Sequence, residues 1–133
     1  ALHAEHRASM DHTPGFLKIV EASSGKVRHT DVAAALERVQ ATPRALLIDV
    51  REDDEFRAGH VAGAIHIGKG VIERDIERMV PDPSTELLLY CGGGFRSVLA
   101  ADALGQMGYT NVTSVDGGYR AFVEAGTPIE RTV

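Results

Sequence analysis

The sequence predicts an α/β protein in which a parallel sheet of about five short strands has helices on both faces. Apolar runs such as Ala45–Ile48 and Leu87–Tyr90 lack polar alternation, which is typical of strands buried on both faces. Segments with helical spacing separate these runs. Strands that alternate with helices need crossover connections, and these connections produce a parallel sheet. The length of 133 residues suits one such domain.

The first 25 residues are expected to form an N-terminal arm with a helical extension, and residues 26–133 the α/β domain. Gly15–Glu21 is apolar enough to pack as a short helix. His3 and His6 have a spacing that could bind a metal on a helix, but no Cys or carboxylate ligand set accompanies them. We therefore expect a solvated terminus, no metal site and no cofactor.

The elements of the first half are recognised by short apolar runs and by residues that favour helix ends. In chain order they are a brief strand at Val27 and His29, a helix with Thr30 as N-cap that ends by Pro43, the strand Ala45–Ile48, the helix Asp53–Ala58, a loop over Gly59–Gly63, the strand Ala64–Ile67, and a helix opened by Gly68–Gly70 that carries Ile72 and Ile76.

The second half repeats the alternation of strand and helix. It comprises the strand Leu87–Tyr90, a helix over Val98–Met107 with Gly108 as a left-handed cap, the last strand Val112–Val115, and a turn at Asp116–Gly118 into a helix that Gly126 and Pro128 terminate. Ligand sites of parallel sheets lie outside the carboxyl ends of the strands. Asp49, Cys91 and Asp116 are all expected there.

Bulk composition excludes several classes of partner. The net charge is −5 and no basic run exists, which argues against nucleic acid. No window reaches the roughly 18 apolar residues of a membrane helix, so no membrane partner is expected. One cysteine cannot form an internal disulfide, which is consistent with a reducing compartment. We therefore expect a cytoplasmic protein.

The chemistry of the chain is concentrated at this single cysteine, Cys91, which ends an apolar strand. It is followed by Gly92, Gly93, Gly94, Phe95, Arg96 and Ser97. Glycines let backbone N–H groups crowd around an anion, and a helix N-terminus adds partial positive charge. Such surroundings can lower a thiol pKa from its usual value of about 8.5. The stretch therefore predicts a cradle for a thiolate.

Three reactions of a thiolate fit this pattern, besides a merely structural cysteine. They are attack on a phosphate ester, reduction of a disulfide or oxyanion, and acceptance of a sulfane sulfur as a persulfide. Reduction normally needs a second thiol, and the chain has none. Only four residues separate Cys91 from Arg96, so the loop is small for a tetrahedral oxyanion. A structural cysteine would not need three glycines, which cost backbone entropy.

Several segments together resemble the single-domain rhodanese sulfurtransferases. They are, in chain order, Leu47–Glu52, Glu55–Phe56, Gly59–Ile65, Tyr90–Ser97, Ala101 with Leu104, Gly108–Val112 and Asp116–Tyr119. The resemblance implies a rhodanese-like fold. It also implies that Cys91 takes a sulfur from thiosulfate or a protein persulfide and passes it to cyanide, a thiol or a protein acceptor. Related phosphatases have one more residue between the cysteine and the arginine, so the loop here favours sulfur over phosphate.

The resemblance leaves two alternative functions open, and the sequence departs from the family's pattern at two places. An active domain of this kind could serve mainly as a sulfur carrier or interaction module for a partner protein, and a small phosphatase is a less favoured reading. Tyr119 stands where the family often has Trp. Gly92–Phe95 is uncharged, whereas members specialised for thiosulfate often carry more positive charge there. A persulfide donor is therefore as plausible as thiosulfate.

Asp49, Arg51 and His60 are the supporting residues that we expect near the loop. Arg51 could brace the site through Asp49, Glu55 or a loop carbonyl, or could add positive potential for an anionic donor. His60 could shuttle a proton, although a hydrogen-bonded structural histidine is favoured. Phe95 could contact a partner protein or pack inside the domain.

Overall fold

A computed structural model describes residues 12–132, which form six helices and seven strands. In chain order the elements are α1 (Pro14–Ser24), β1 (Arg28–Thr30), α2 (Val32–Ala41), β2 (Leu46–Asp49), α3 (Asp53–Ala58), β3 (His60–Val61), β4 (Ile65–His66), α4 (Ile72–Met79), β5 (Leu87–Tyr90), α5 (Arg96–Gln106), β6 (Val112–Val115), α6 (Gly118–Glu124) and β7 (Ile129–Glu130).

Five strands form one parallel sheet in the order β1-β6-β5-β2-β4, which confirms the predicted fold class. β5 is the central strand, and its four residues are fully buried. In the register of the sheet, Leu89 lies between Ile48 of β2 and Ser114 of β6. The residue that follows β5 therefore emerges at the middle of the carboxyl edge.

Helices cover both faces of the sheet because the side chains of β5 alternate between them. Leu87 and Leu89 pack in a core cluster with Ile72 and Ile76 of α4 and with residues of α5. Leu88 and Tyr90 pack in a second cluster with residues of α2 and α6. The chain thus leaves β5 towards one face and leaves β6 towards the other. Divergent connections of this kind open a crevice at the carboxyl edge of a parallel sheet.

The N-terminal helix α1 is anchored on α5. Val20 is buried, and the Ser23 hydroxyl donates a hydrogen bond of 2.8 Å to the Asp102 carboxylate. The ring of Phe16 meets that of Phe95 edge-on, with centroids 6.4 Å apart. The helix begins at Pro14 and extends three residues beyond the predicted end at Glu21. His3 and His6, which were considered as metal ligands, lie outside the described residues.

The predicted N-cap of α2 is wrong by one residue. Thr30 ends β1, and Asp31 caps the helix by accepting a hydrogen bond of 2.8 Å from the Ala34 N–H. Both residue types are good N-caps, so the sequence offered two candidates. The pairing of Thr30 with Val115 in the sheet decided between them.

A second, two-stranded antiparallel sheet was not predicted. Gly59–Gly63 was expected to be a loop, but His60 and Val61 form β3, which pairs with β7. The sequence had indicated that Val112–Val115 is the last strand, but β7 follows it. The Ala62 N–H extends this contact to the Pro128 carbonyl at 3.0 Å. Strands of two residues have no readable periodicity, and their partners are about 70 residues apart.

We predict that Gly118→Ala and Gly105→Ala have opposite effects on stability. Gly118 has φ +55°, and an added Cβ would collide with the Cys91 carbonyl oxygen, so the free energy of unfolding should fall by about 2 kcal/mol or more. Gly105 lies in α5 with open space around it, so alanine should raise that free energy by about 0.5 kcal/mol. Urea unfolding checks both values. Equal effects of the two changes would contradict the assignment of Gly118 as a close-contact position.

Candidate active site

Cys91 follows β5 directly and is buried, with 1 % of its surface exposed. The Gly94 N–H donates to the Cys91 sulfur at a nitrogen-to-sulfur distance of 3.1 Å. Gly94 has φ +104°, and a Cβ there would lie 3.2 Å from the Gly117 nitrogen. This glycine therefore supplies both the left-handed backbone and the close approach that the turn around the sulfur requires.

A serine pair lies on the other side of the sulfur. The thiol is 3.6 Å from Ser97 Oγ, and Ser97 Oγ is 2.8 Å from Ser114 Oγ of β6. All three side chains are buried. α5 begins at Arg96, two residues before the predicted start at Val98, so Arg96 and Ser97 belong to its first turn. The sulfur thus faces the N-terminal end of α5, where backbone N–H groups carry partial positive charge.

Backbone N–H groups at the start of α6 bind two carbonyl groups of the loop. The Tyr119 N–H donates to the Cys91 carbonyl at 2.7 Å, and the Arg120 N–H donates to the Gly92 carbonyl at 3.2 Å. These bonds tie the loop after β5 to the turn after β6. Gly118 lies at the close contact between the two segments, against the Cys91 carbonyl.

Arg96, the cation at the end of the loop, is bound to Glu55 of α3. Its two terminal nitrogens donate to the two carboxylate oxygens at 2.8 and 3.2 Å. Hydrogen bonding by Glu55 raises the pKa of Arg96, and hydrogen bonding by Arg96 lowers the pKa of Glu55. Both groups therefore stay charged at neutral pH. Their charges cancel at the side of the loop.

Arg51 binds Asp49, one of the three partners considered from the sequence, and a backbone carbonyl outside the cysteine loop. Its guanidinium donates to the carboxylate of buried Asp49, at distances down to 2.8 Å, and to the Gly59 carbonyl at 2.6 Å. It also lies 4.1 Å from the centre of the Tyr119 ring. Arg51 thus connects the segment after β2 to α6.

His60 is hydrogen-bonded within its own segment. Its Nδ1 lies 2.8 Å from the Phe56 carbonyl, and because a carbonyl only accepts, Nδ1 carries the proton. The ring stacks on the Phe56 ring at a centroid distance of 3.7 Å. The side chain is buried. These contacts are those of a hydrogen-bonded structural histidine, with Nδ1 bonded to a backbone carbonyl.

Phe95 is half-buried and packs against the N-terminal segment. Its ring lies 4.8 Å from that of His12 and 6.4 Å from that of Phe16, both edge-on. A shallow cavity of about 180 Å³ adjoins this contact, between the loop and α1. It is lined by Val20, Ser24, His29, Gly93, Gly94, Phe95, Val98, Asp116 and Gly117.

Sequence reasoning missed the partners that hold the loop. Glu55 was considered only as a partner of Arg51, and Ser114 was not considered. The only available signal for Glu55 was its place in the resemblance, since its contact with Arg96 spans 41 positions. The sequence signal for Ser114 was its place as a polar residue within a buried strand. In the sheet it pairs with Leu89.

Across residues 12–132, no three His, Cys, Asp or Glu side chains gather closely enough to hold a metal ion. In the same range, no helix has both the length and the apolar character needed to cross a membrane.

The fold and the loop define a parallel α/β domain whose one cysteine lies at the carboxyl edge of the central strand. A profile of the Rhodanese-like domain matches residues 30–125. The chain therefore belongs to the rhodanese-like domain family. It is 33% identical to the thiosulfate sulfurtransferase GlpE of Vibrio cholerae over 102 residues, which cover 77% of this chain and 93% of GlpE.

Two solved structures show the same architecture. The polysulfide-sulfur transferase homodimer of Wolinella succinogenes has a TM-score of 0.75 and 26% identity, with 88% of both chains covered. A Rhodopseudomonas palustris protein, described as of unknown function and a possible tyrosine phosphatase, has a TM-score of 0.77 and 28% identity, with 90% of this chain and 96% of that chain covered. Because these relatives include proteins named as sulfurtransferases, the comparisons support a rhodanese-type sulfurtransferase activity for this chain.

We predict that Asp49→Ala strongly destabilises the domain. The change leaves the buried Arg51 guanidinium without its carboxylate, which should lower the free energy of unfolding by about 3–5 kcal/mol. Asp54→Ala on exposed α3 is the control and should leave the unfolding midpoint close to wild type. Chemical unfolding followed by circular dichroism measures both. Similar midpoints for the two variants would refute a structural role for the buried pair.

Proposed function

We propose that this protein is a sulfurtransferase that carries a sulfane sulfur on Cys91 as a persulfide. The observation that carries the proposal is the position of the Cys91 sulfur, which accepts the Gly94 N–H at 3.1 Å beside the N-terminal end of α5. Backbone donors that are already in place stabilise a sulfur anion without reorganisation. Membership of the rhodanese-like family and the names of the relatives support the same chemistry.

The reaction has two steps, each a displacement at sulfur. With thiosulfate as donor, the Cys91 thiolate forms a bond to the outer sulfur, the S–S bond breaks, and its electron pair leaves with sulfite. The persulfide anion on Cys91 is then attacked at its terminal sulfur by cyanide, a thiol or an acceptor protein. The new bond forms on the acceptor, and Cys91 returns to the thiolate. This is covalent catalysis of the ping-pong type.

The contacts of Arg96 argue against phosphate ester hydrolysis. A phosphate bound in the loop would need hydrogen bonds from the Arg96 guanidinium. Both terminal nitrogens of Arg96 are already bonded to Glu55. A transferred sulfur needs only one additional atomic volume beside the Gly94 N–H. The alternative of a sulfur carrier for a partner protein uses the same Cys91 persulfide and differs only in the rate of turnover with small acceptors.

We predict that Cys91→Ser abolishes sulfur transfer while the fold is kept. Incubation of the wild-type protein with a sulfane sulfur donor should add one sulfur, a mass increase of about 32 Da, to the peptide that contains Cys91. Cyanide should remove this mass and release thiocyanate. Mass spectrometry and thiocyanate detection follow the two steps. Thiocyanate production by the serine variant at the wild-type rate would disprove the mechanism.

We predict that hydrolysis of aryl phosphates is negligible. Rates of p-nitrophenol release from p-nitrophenyl phosphate should lie at least about 100-fold below the rate of sulfur transfer, because the charge of Arg96 is paired with Glu55 and is not available to offset that of the phosphoryl group. The Cys91→Ser variant gives the background rate. Cysteine-dependent phosphate release comparable with sulfur transfer would instead identify a phosphatase.

A further inference from the structure

The loop around Cys91 offers backbone donors but almost no net charge. Gly92–Phe95 contains no ionisable side chain. Arg96 is bonded by both terminal nitrogens to Glu55. Arg51 is also bonded to both carboxylate oxygens of Asp49, through Nε and one terminal nitrogen. The two guanidinium groups that flank the loop, those of Arg51 and Arg96, are therefore each matched by one carboxylate.

Charge pairing of this kind discriminates between donors of different charge. The desolvation free energy of an ion rises steeply with its charge. A binding site must offset it with opposite charge or hydrogen bonds. Thiosulfate is a dianion, so its desolvation costs more than that of a monoanion and it gains more from a net positive site. A persulfide R–S–SH, or its anion R–S–S⁻, carries no more than one charge on its sulfurs. The N–H groups of the loop can satisfy one charge.

We propose that Glu55 determines donor specificity: by cancelling the charge of Arg96, it makes the site select persulfides of thiols over dianionic thiosulfate. This inference rests on the proposed function and adds the class of donor to it. The Cys91 thiolate forms a bond to the terminal sulfur of R–S–SH, the donor S–S bond breaks, and its electron pair leaves with R–S⁻. The persulfide proton then passes to R–S⁻, so R–SH is released and the negative charge stays on the enzyme persulfide.

Glu55→Gln tests this role with little change in shape. Glu55 Oε1 also accepts the Glu52 N–H at 3.0 Å in the capping box of α3, and glutamine can keep that bond. The variant therefore removes charge while it keeps the helix start and a hydrogen-bond acceptor for Arg96. Asp54→Asn is the matched control, since it removes one negative charge from an exposed site of the same helix.

The measurement is the second-order rate constant for formation of the Cys91 persulfide, followed by mass spectrometry at low ionic strength. The donors are thiosulfate, 2-hydroxyethyl persulfide and persulfidated serum albumin. Wild type should react faster with at least one of the two persulfides than with thiosulfate. Reaction with the hydroxyethyl compound identifies small thiols as a source, and reaction with albumin identifies protein cysteines.

In Glu55→Gln, the ratio of the thiosulfate rate constant to the hydroxyethyl persulfide rate constant should rise about five-fold or more, because the released charge of Arg96 acts on two donor charges instead of one. Added salt should reduce this gain. Asp54→Asn should change the ratio by less than about two-fold, as expected of a solvated charge.

Three results would overturn the role of Glu55: a wild-type preference for thiosulfate, an unchanged donor ratio in Glu55→Gln, or an equal change in Asp54→Asn. The first result needs no variant, so it holds even where Glu55→Gln fails to fold. Failure of the proposed function looks different, since no donor would then add sulfur to Cys91 in the wild-type protein.

Discussion

The close contact between the Cys91 carbonyl and the start of α6 is the constraint on which the site depends. The Tyr119 and Arg120 N–H groups hold the carbonyls of Cys91 and Gly92 on one side of the loop. With these carbonyls held, the next peptide groups can turn an N–H, that of Gly94, towards the sulfur. The arrangement exists because Gly118 has no Cβ at the point where the two segments meet.

The loop after β2 provides the second half of the frame. Arg51 of this loop binds Asp49, the last residue of β2, and the helix α3 that follows contributes Glu55, which binds Arg96. Arg51 also faces the Tyr119 ring. The ends of β2, β5 and β6 are thereby tied together by side chains as well as by the sheet. Positive charge is used to build the site, and the sulfur is left with backbone dipoles as its main electrostatic partners.

Local patterns in the sequence were reliable where one segment contains all the information. The bounds of α3 were predicted correctly, and β5 was predicted as Leu87–Tyr90 because four consecutive apolar residues indicate a strand buried on both faces. The brief strands β3 and β7 were missed, since their only signature is a pairing between His60–Val61 and Ile129–Glu130. The N-cap Asp31 was missed because Thr30 is an equally suitable type.

The sequence alone determined the alternation of the five parallel strands with helices, the place of Cys91 at a strand end, and the glycines around it, because these depend on periodicity and on the backbone freedom of single residues. Only the tertiary structure decided the partners of the charged groups. Arg96 could have faced the sulfur or turned to a carboxylate, and Glu55, 41 positions earlier in the chain, decided the outcome. Side-chain pairing across the fold depends on the distances that chain packing creates, and no local pattern encodes them.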